Sequence, residues 1–531
     1  MDCISTSLPY EQVGHFSSII LDYLNNSPQL KPFFEHPVSI EGIKRSIDKR
    51  KNFPTNRRLL VDVLQRQYAG MPSAGKVQQN ISDLALEHTF TIVTAHQPNI
   101  FTGYLYFIYK ILHVIKLADH LAEQLPRYTF VPLFYMGSED ADLDELGNFF
   151  LSGEKLVWET DQKGAVGRMN TKGLENIIDR IAGELTVYPF GNEMISLLKQ
   201  YYLPDTNIQT ATFKLIHALF EEYGLVVLIP DNASLKESLI PVFKDDLLYQ
   251  TSSTVVGQTI EKLSKHYKVQ ANPRDINLFF LQDGLRERII KNGNDWKVVG
   301  ENIRFSDNEL QQELVNHPER FSPNVILRGL FQESILPNIA FIGGGGEMAY
   351  WLELKELFSQ YAVPFPVLIL RNSFLFVEKK WKEKVKKLGF SIPDLFKDER
   401  LLLDELVRRN SSVRLDLDTE ITELDGLFLR VKQVAGNADI TLQQHVEALK
   451  TGAKKQLNNL EKKMVRAEKR KYDDQQRQIH NIKNKLFPRN GLQERIDNFM
   501  PYYAQYGKDF IRMLYEHSPA LEQKFVVLEE V

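Results

Sequence analysis

The chain has 531 residues, of which 43% are hydrophobic and 25% are charged, and its formal net charge is -4. This length favours two or three globular domains, and the charge gives no general case for nucleic-acid binding. The single cysteine, Cys3, excludes a disulfide framework and a cysteine-based metal site. No signal-peptide pattern and no run of about 18 apolar residues occurs, so we expect a cytoplasmic protein with no membrane span.

The predicted elements begin with helices and continue into a parallel sheet. Residues 11–85 carry apolar side chains at helical spacing and are predicted to pack ahead of the core. A strand is predicted at 90–94, a helix from about 101 through Leu121, and a second strand at 130–136. This order is typical of parallel sheets, which bind ligands at the carboxyl ends of their strands.

Further buried strands are predicted at 224–231 and 338–342, with the last strand at 367–371. Two regions of mixed pattern, at about 150–210 and 235–320, are interpreted as inserts, and 277–299 as a small antiparallel piece. The fold class is therefore predicted as α/β, with a Rossmann-like parallel sheet core, inserted connecting segments and an α-helical coiled-coil domain. The predicted domains are 1–380, 381–498 and a segment, 499–531, that returns to the core.

The helical domain contains a heptad pattern. Between 424 and 487 there is no proline, and apolar residues recur at spacings of three or four: Val446, Leu449, Ala453, Leu457, Leu460, Met464 and Ala467. The pattern weakens near Lys471 and resumes at Ile479, so we expect one rod of roughly 65 Å, ended by Pro488.

The partner of that helix is either a preceding helix in the same chain or the same helix of a second subunit. The preceding helix carries four apolar residues at helical spacing: Leu424, Leu427, Val431 and Val434. We infer a homodimer. The many lysines on the rod are interpreted as a solvated face, with RNA or phosphate contact as the alternative.

The first candidate site is the turn after the first strand of the sheet, which contains His96, Gln97, Thr102, Gly103 and Tyr106. Unpaired N–H groups at the start of a helix attract phosphate or carboxylate, and Thr102 is expected to cap that helix. Lys110 lies two turns further, too deep to be assigned to the pocket. The alternative is an ordinary polar β–α turn.

The second candidate is the acidic run from Ser138 to Glu145, which follows the second strand. It lacks the glycine and ligand spacing of a calcium-binding EF-hand. Crowded carboxylates raise the pKa of one another, and a cationic substrate or Mg²⁺ would relieve that repulsion. An amine substrate fits, with a carboxylate as anchor or general base. A solvated acidic turn is the other interpretation.

The third candidate combines Asn324 and Arg328 with the four glycines at 343–346 and Glu347. The glycines suit a close approach of backbone to ligand but match neither a Walker A loop nor a dinucleotide fingerprint. Glu347 either binds a hydroxyl or ammonium group or complements the helix dipole. Arg328 either grips an anion or forms a structural ion pair. A fourth motif, 487–495, is interpreted as a turn and a helix cap.

These four motifs together resemble the bacillithiol-synthesis cysteine-adding enzymes, the BshC family. The matching segments are 94–110, 138–145, 322–328 with 343–351, and 487–495, which span nearly the whole chain in order. The chain departs from the family pattern at 95–96, where Gly-Gln is frequent, at Tyr104, where proline is frequent, and at Ala141, where histidine is frequent.

The resemblance implies a ligase that joins the carboxyl group of cysteine to the amine of glucosaminyl-malate, in a homodimer held by coiled coils, without nucleic acid. Because a free carboxylate is a poor electrophile, we expect ATP to activate it, with or without Mg²⁺; no zinc is expected. The alternative function is a nucleotidyl-transferring or aminoacylating enzyme that holds RNA on the basic coiled coil.

On this basis the candidate catalytic residues are Gln97, Glu139, Asp140 and Asp142. The candidate substrate- or nucleotide-binding residues are His96, Thr102, Gly103, Tyr106, Ser138, Asn324, Arg328, Gly343, Gly344, Gly345 and Glu347.

Overall fold

The computed structural model describes residues 1–72, 75–203, 205–293 and 295–531. It divides into two units: a core unit of residues 1–375 and 491–528, and a helical unit of residues 376–490 and 529–531. The sequence placed the first boundary at 380/381 and the second at 498/499. The segment from Gly491 to Asn498, which was assigned to the helical domain, therefore lies in the core unit.

Four sheets account for the strands of the described residues. In chain order the strands are β1 (Cys3–Leu8), β2 (Thr89–His96), β3 (Thr129–Met136), β4 (Asn148–Leu151), β5 (Glu154–Val157), β6 (Val226–Leu228), β7 (Leu278–Gln282), β8 (Leu285–Asn292), β9 (Asp295–Val298), β10 (Arg304–Ser306), β11 (Phe321–Pro323), β12 (Asn338–Gly343), β13 (Val367–Leu370), β14 (Ser373–Val377) and β15 (Phe525–Glu530).

The core unit also contains most of the helices. Their bounds are Tyr10–Val13, Ser18–Leu24, Ile40–Lys51, Arg57–Gln67, Gly75–Asp83, Tyr106–Gln124, Leu143–Leu146, Leu174–Leu185, Gly191–Tyr202, Ile208–Phe220, Ala233–Glu237, Ile240–Tyr249, Thr251–Leu263, Asp307–Asn316, Val325–Ile335, Gly345–Trp351, Lys355–Gln360, Met500–Tyr506 and Lys508–Glu516. The helical unit contains Lys379–Lys387, Glu399–Asn410, Asp418–Ala438, Leu442–Lys469 and Asp473–Leu486.

The central sheet is parallel throughout, with strand order β13-β12-β2-β3-β6. Strand β2 is buried along its length except at His96, as expected for an apolar strand covered on both faces. The helix Tyr106–Gln124 crosses over between β2 and β3 and buries Val114 and Leu117 against Phe90 and Ile92. The α/β, Rossmann-like prediction is confirmed.

The two regions interpreted as inserts have different structures. Residues 150–210 contain the end of an antiparallel hairpin, β4–β5, and three helices or their beginnings. Residues 235–320 contain helices followed by antiparallel strands of the sheet β10-β9-β8-β7-β11. The small antiparallel piece is thus confirmed, because β7 pairs with β8 and β8 with β9 in antiparallel register.

Two strand predictions were wrong, one in the length of the strand and one in its place in the chain order. The segment predicted as a strand over 224–231 is extended only at Val226–Leu228, since Gly224 has a left-handed φ of 79° and Asn232 already caps a helix. The strand at 367–371 is not the last one, because β14 and β15 follow it and belong with β1 in a separate sheet. The C-terminal strand was missed because it lies far along the chain from its neighbours.

The helical unit contains an in-chain coiled-coil hairpin formed by Asp418–Ala438 and Leu442–Lys469. Lys432 pairs with Glu447 at 2.8 Å, and Lys454 pairs with Asp425 at 3.0 Å, so the two helices run antiparallel. The preceding helix of the same chain, the first of the two partners considered above, therefore packs against the helix with the heptad pattern. Lys432 and Lys454 thus have carboxylate partners within the hairpin.

The prediction of one continuous rod was wrong. The helix ends at Lys469 and a new helix begins at Asp473, so the weakened part of the heptad pattern marks a true break. Ile479, Ile482 and Leu486 are buried in the second of these helices, within the helical unit. No helix in the described ranges has both the length and the hydropathy needed to cross a bilayer.

Candidate functional site

A cavity of about 770 Å³ lies at the carboxyl ends of the parallel strands, entirely within the core unit. Its wall includes His96 at the end of β2, Gly137 after β3, Pro230 after β6, Gly344 after β12 and Arg371 after β13. All five strands of the sheet thus contribute to one site, at the edge where open α/β sheets bind ligands.

Most of the sequence-predicted site residues line this cavity: His96, Gln97, Tyr106, Ser138, Glu139, Asp140, Asn324, Arg328, Gly344, Gly345 and Glu347. Four others do not line it: Thr102, Gly103, Asp142 and Gly343. The three separate motifs are therefore brought together by the sheet, because each follows or flanks a strand that ends at the same edge.

Thr102 and Gly103 shape the turn that precedes the helix rather than the cavity wall. Their φ angles are 68° and 62°, and a Cβ at Gly103 would lie 2.8 Å from the Cβ of Asn99. Asn498 donates to the carbonyl of Gly103 at 2.6 Å. Thr102 was expected to cap the helix, but the helix begins at Tyr106 without a side-chain cap, so that expectation was wrong.

Asp142 and Gly343 also have local structural tasks. The carboxylate of Asp142 accepts a hydrogen bond from the N–H of Glu145 at 3.0 Å and so caps the short helix Leu143–Leu146. Gly343 is the last residue of β12, and its carbonyl accepts the N–H of Arg371 at 2.8 Å. Asp142 therefore orders the acidic turn without facing the cavity.

Glu139 is a buried carboxylate that depends on a buried lysine. Lys236 has no exposed surface, forms an ion pair with Glu139, and lies 3.8 Å from Asp231. Arg168 in turn holds Asp231 through two hydrogen bonds of 2.7 Å. Burial raises the pKa of Glu139, and the charge of Lys236 opposes that rise. The pair fixes one acidic group in the cavity wall.

Asp140 and Glu145 form a more exposed acidic side. Gln97 donates to Asp140 at 3.1 Å, which orients that carboxylate toward the turn after β2. Burial and the neighbouring Asp142 raise the pKa of Glu145. Within the described residues neither Asp140 nor Glu145 has a cationic side-chain atom within 4.0 Å. This side of the cavity thus offers negative charge to a ligand.

Glu347 is held from two directions. One of its oxygens accepts the N–H of Gly344 at 2.8 Å, in a capping arrangement, and the ammonium of Lys110 at 2.6 Å. Lys110 is buried and also donates to the carbonyl of Ala95. The ammonium therefore reaches the back of the cavity wall, and Glu347 both caps its helix and faces the cavity.

His96 presents a neutral imidazole. Burial and the positive charges of Lys110 and Arg371 hold the pKa of His96 well below its ordinary value. Its Nε2 is buried and has no hydrogen-bond partner among the described residues. The same is true of the hydroxyl of Ser138. Buried polar atoms without partners are rare, and two in one cavity wall are suited to a polar ligand.

Arg328 has only neutral partners among the described residues. It donates to the Tyr350 hydroxyl at 2.6 Å and to Gln332 at 3.4 Å, and it lies 5.7 Å from the centre of the Tyr135 ring. The alternative of a structural ion pair is therefore wrong. Asn324 caps the helix Val325–Ile335 and donates to Asn277 at 2.9 Å, which ties the inserted region to the site.

Sequence reasoning missed several residues of the cavity wall: Tyr135, Arg286, Arg371, Arg495 and the loop 270–272. Arg371 carried a signal, because it is the charged last residue of a predicted apolar strand. Arg495 belongs to the motif at 487–495, which was interpreted only as a turn. Arg286 lies on a strand of the inserted sheet, where nothing in the local pattern indicates the cavity.

No group of three or more histidine, cysteine, aspartate or glutamate side chains in the described ranges is placed to hold a metal ion. The acidic turn therefore offers at most pairs of carboxylates to a cation. A nucleotide-bound Mg²⁺ would have to take its remaining ligands from the nucleotide and from water.

Comparison with known proteins was made with family models and with individual sequences. Residues 1–372 match the model described as "Bacillithiol biosynthesis BshC, N-terminal Rossmann-like domain", and residues 374–530 match the "C-terminal coiled-coil domain" of the same family. A protein of Flavobacterium psychrophilum named "Putative cysteine ligase BshC" is 41% identical over 99% of both chains.

Two further relatives carry the same name. The protein from Flavobacterium johnsoniae is 40% identical over 99% of both chains. The protein from Cytophaga hutchinsonii is 38% identical over 94% of both chains. Together, the two family models cover nearly the whole sequence, in the order in which the core and helical parts occur. The chain belongs to the BshC family of bacillithiol biosynthesis.

Proposed function

We propose that this protein is a ligase that joins the carboxyl group of cysteine to the amine of glucosaminyl-malate. The observation that carries the proposal is the cavity, whose wall contains both carboxylates and guanidinium groups that form no ion pair within 4.0 Å among the described residues. An aminosugar with an acidic aglycone carries both charges. The full-length relatives named as cysteine ligases support the same assignment.

The chemistry requires a neutral amine and an activated carboxyl group. The amine nitrogen forms the new C–N bond, a C–O bond of the cysteine carboxyl breaks, and the nitrogen loses a proton. A carboxylate beside the amine serves as its anchor and then as the acceptor of that proton. We assign these tasks to Glu139 and Asp140, with Gln97 orienting Asp140.

We propose ATP as the source of activation, because amide formation from a free carboxylate in water is unfavourable. The wall at Gly344, Gly345 and Gly346 leaves room for a nucleotide, since a Cβ at Gly346 would meet no atom within 4 Å. The volume of the cavity is in the range of small-molecule sites. ATP would convert one oxygen of the cysteine carboxylate into a leaving group.

The alternative of an aminoacylating enzyme that holds RNA has no feature of the structure in its favour. Several lysines of the coiled coil have carboxylate partners, as with Lys450 and Lys454 at Asp425 and Lys469 at Asp404. These pairs neutralise part of the positive charge that a phosphate backbone would need.

We also propose that the protein is a homodimer through its coiled coil. The in-chain hairpin half-buries Leu424 and Phe428, but it leaves Leu427, Val431 and Val434 exposed on the same helix. The second helix leaves Leu449 and Leu460 exposed. Each helix of the hairpin therefore has a further apolar face, and a second hairpin of the same kind would cover both.

The test of the catalytic proposal uses a matched pair of acidic-run variants. Asp140→Asn keeps the shape of the side chain but removes the charge on the cavity wall, whereas Asp144→Asn removes an exposed charge in the same run. We expect wild type and Asp144→Asn to restore bacillithiol to a strain that lacks its cysteine-adding enzyme. We expect Asp140→Asn to leave the strain with accumulated glucosaminyl-malate.

Binding by calorimetry gives the second readout. Asp140→Asn should weaken the binding of glucosaminyl-malate by roughly tenfold or more, since a charge-assisted contact is lost. If wild type restores no bacillithiol, the proposed function is wrong. If Asp140→Asn binds glucosaminyl-malate and restores bacillithiol as wild type does, the proposed function stands and the placement of the amine beside Asp140 is wrong.

A further inference from the structure

Four arginines of the cavity wall each lie over an aromatic ring; one of them, Arg286, has its guanidinium 4.0 Å from the centre of the Phe279 ring. The guanidinium of Arg328 is 5.7 Å from the centre of the Tyr135 ring, that of Arg371 is 5.0 Å from Tyr106, and that of Arg495 is 5.7 Å from Phe16. An aromatic neighbour covers the guanidinium and restricts its orientation, which favours presentation of its planar N–H groups to a carboxylate.

Among the described residues, Arg286, Arg328 and Arg495 have no counterion within 4.0 Å, and of these Arg286 interacts with the charges of Asp140 and Glu139 on the acidic run. Arg371 pairs with Glu494 at 2.8 Å. Arg495 is exposed; it makes a long hydrogen bond of 3.4 Å to the carbonyl of His15 and lies over the Phe16 ring. Arg328 is half-buried, and a half-buried charge without a counterion is costly, so an anionic ligand would stabilise this wall.

Arg495 reaches the cavity because its neighbour anchors the chain there. Glu494 has no exposed surface and accepts hydrogen bonds from Arg371, from the Ser373 hydroxyl at 3.2 Å and from the N–H of Phe374 at 3.2 Å. This anchor places the next residue on the wall. The motif at 487–495, interpreted from the sequence as a turn, thus delivers a cation to the site.

The distribution of charge fits one ligand with both signs. Within the part of the chain that the structure describes, Asp140 and Glu145 line the wall without an ion-pair partner within 4.0 Å, and so do Arg328 and Arg495. The glucosaminyl-malate of the proposed function carries one amine and two carboxylates. Its amine requires the acidic side, so its malyl group is left to the basic side.

We propose that Arg328 and Arg495 bind the two malyl carboxylates of the aminosugar substrate, and that Arg371 and Glu494 position Arg495 for this task. The proposal deepens the proposed function and rests on it. It assigns to the cavity a dicarboxylate subsite, so the malyl group, and not only the sugar, determines which amine is accepted. Phosphate could use the same guanidinium chemistry, so the experiment must separate a carboxylate ligand from ATP.

The experiment is isothermal titration of the full-length protein with three ligands. These are glucosaminyl-malate, methyl glucosaminide, which has the same sugar and amine but no carboxylate, and ATP. The variants are Arg495→Gln and Arg328→Gln. Arg512→Gln is the control, because Arg512 is exposed and pairs only with Asp509 in the described residues. Thermal unfolding of each variant shows that it is folded.

We expect wild type to bind glucosaminyl-malate far more tightly than methyl glucosaminide. Arg495→Gln and Arg328→Gln should each weaken the binding of glucosaminyl-malate by roughly 10- to 100-fold, as expected for a lost charge-assisted hydrogen bond. Neither should change the binding of methyl glucosaminide or ATP, and Arg512→Gln should change nothing. Arg495→Lys, which keeps the charge but loses the planar fork, should fall between wild type and Arg495→Gln.

Other results separate this proposal from the function on which it rests. If wild type binds glucosaminyl-malate and both glutamine variants bind it equally well, the subsite is wrong and the function stands. If the variants no longer bind ATP but still bind glucosaminyl-malate, the arginines bind phosphate and the proposed subsite is wrong. If wild type does not bind glucosaminyl-malate, the proposed function fails, and the subsite fails with it.

Discussion

Lys236 is the residue on which the buried acid of the site depends. Its ammonium has no exposed surface, pairs with Glu139, and donates to the carbonyl of Glu319 at 3.0 Å. It does not line the cavity, so we regard it as a positioning residue for Glu139. Removing one partner of a buried ion pair leaves the other charge uncompensated, which is more costly than removing both.

We therefore expect Lys236→Met to lower the free energy of unfolding by roughly 3–5 kcal/mol. Because the lysine charge opposes the raised pKa of Glu139, its loss should move the acidic limb of the activity–pH profile to higher pH. The matched control is Lys236→Met combined with Glu139→Gln, which should be more stable than Lys236→Met alone. An unchanged acidic limb in Lys236→Met would show that Glu139 does not need this partner.

At the scale of residues, the sequence predicted those parts of the site that follow strands. His96, Ser138 and Gly344 could be found because an apolar strand followed by a polar or glycine-rich turn is a local pattern. Arg495 could not be placed, since its position depends on a buried contact between Glu494 and Arg371, more than a hundred positions apart. Side chains presented by distant segments leave no periodic signal.

The loop at 270–272 is an element whose position depends on one buried carboxylate. Glu353 follows the helix Gly345–Trp351 and accepts hydrogen bonds from the N–H of Gln270 at 2.7 Å and of Ala271 at 3.1 Å. Burial raises the pKa of Glu353 to about 7, although the hydrogen bonds from the two N–H groups act to lower it. The wall of the cavity at this loop is thus attached to a group that titrates near neutrality.

The sign of the pH dependence follows from that raised pKa. The folded protein holds a proton on Glu353 that the unfolded chain releases near 4.5, so its contribution to stability is full below that pH and is lost as pH rises through about 7. We expect Glu353→Gln, which cannot ionise, to gain thermal stability relative to wild type as pH rises from 5 to 8. The gain corresponds to on the order of 2–3 kcal/mol.

The measurement is the melting temperature of wild type and variant at several pH values, with Glu356→Gln as control. Glu356 is an exposed carboxylate on the next helix, and its substitution controls for the loss of one glutamate charge. A difference between wild type and Glu353→Gln that does not change with pH would contradict the prediction. Other titrating groups cancel, because they are common to both proteins.

Elements of the helical unit show what heptad spacing can and cannot predict. The pattern predicted a coiled coil, and an antiparallel hairpin exists. The first helix was expected to use Leu424, Leu427, Val431 and Val434 together, but three of these are exposed. This helix carries two apolar stripes with overlapping periods. The sequence alone therefore does not show which stripe packs against the neighbouring helix and which is left for another partner.

At the scale of the whole molecule, the apolar residues that the hairpin leaves exposed on its first helix lead to a prediction about oligomeric state. Leu427 is 48% exposed and Val434 is 71% exposed, one heptad apart on Asp418–Ala438. Large apolar side chains repeated along a helix face mark a protein interface more often than isolated ones do. We expect the wild-type protein to have twice the chain mass in solution at micromolar concentration.

The variant that tests this assembly carries Leu427→Glu and Val434→Glu together. Charges on the exposed stripe should reduce the mass measured by light scattering to that of one chain, while the in-chain hairpin keeps its helix content by circular dichroism, since its ion pairs at Glu447 and Asp425 are untouched. Val187→Glu, at a site that is 80% exposed in the core unit, is the control and should remain a dimer. A wild-type protein of single-chain mass, or a double variant that still dimerises, would place the subunit contact elsewhere or exclude it.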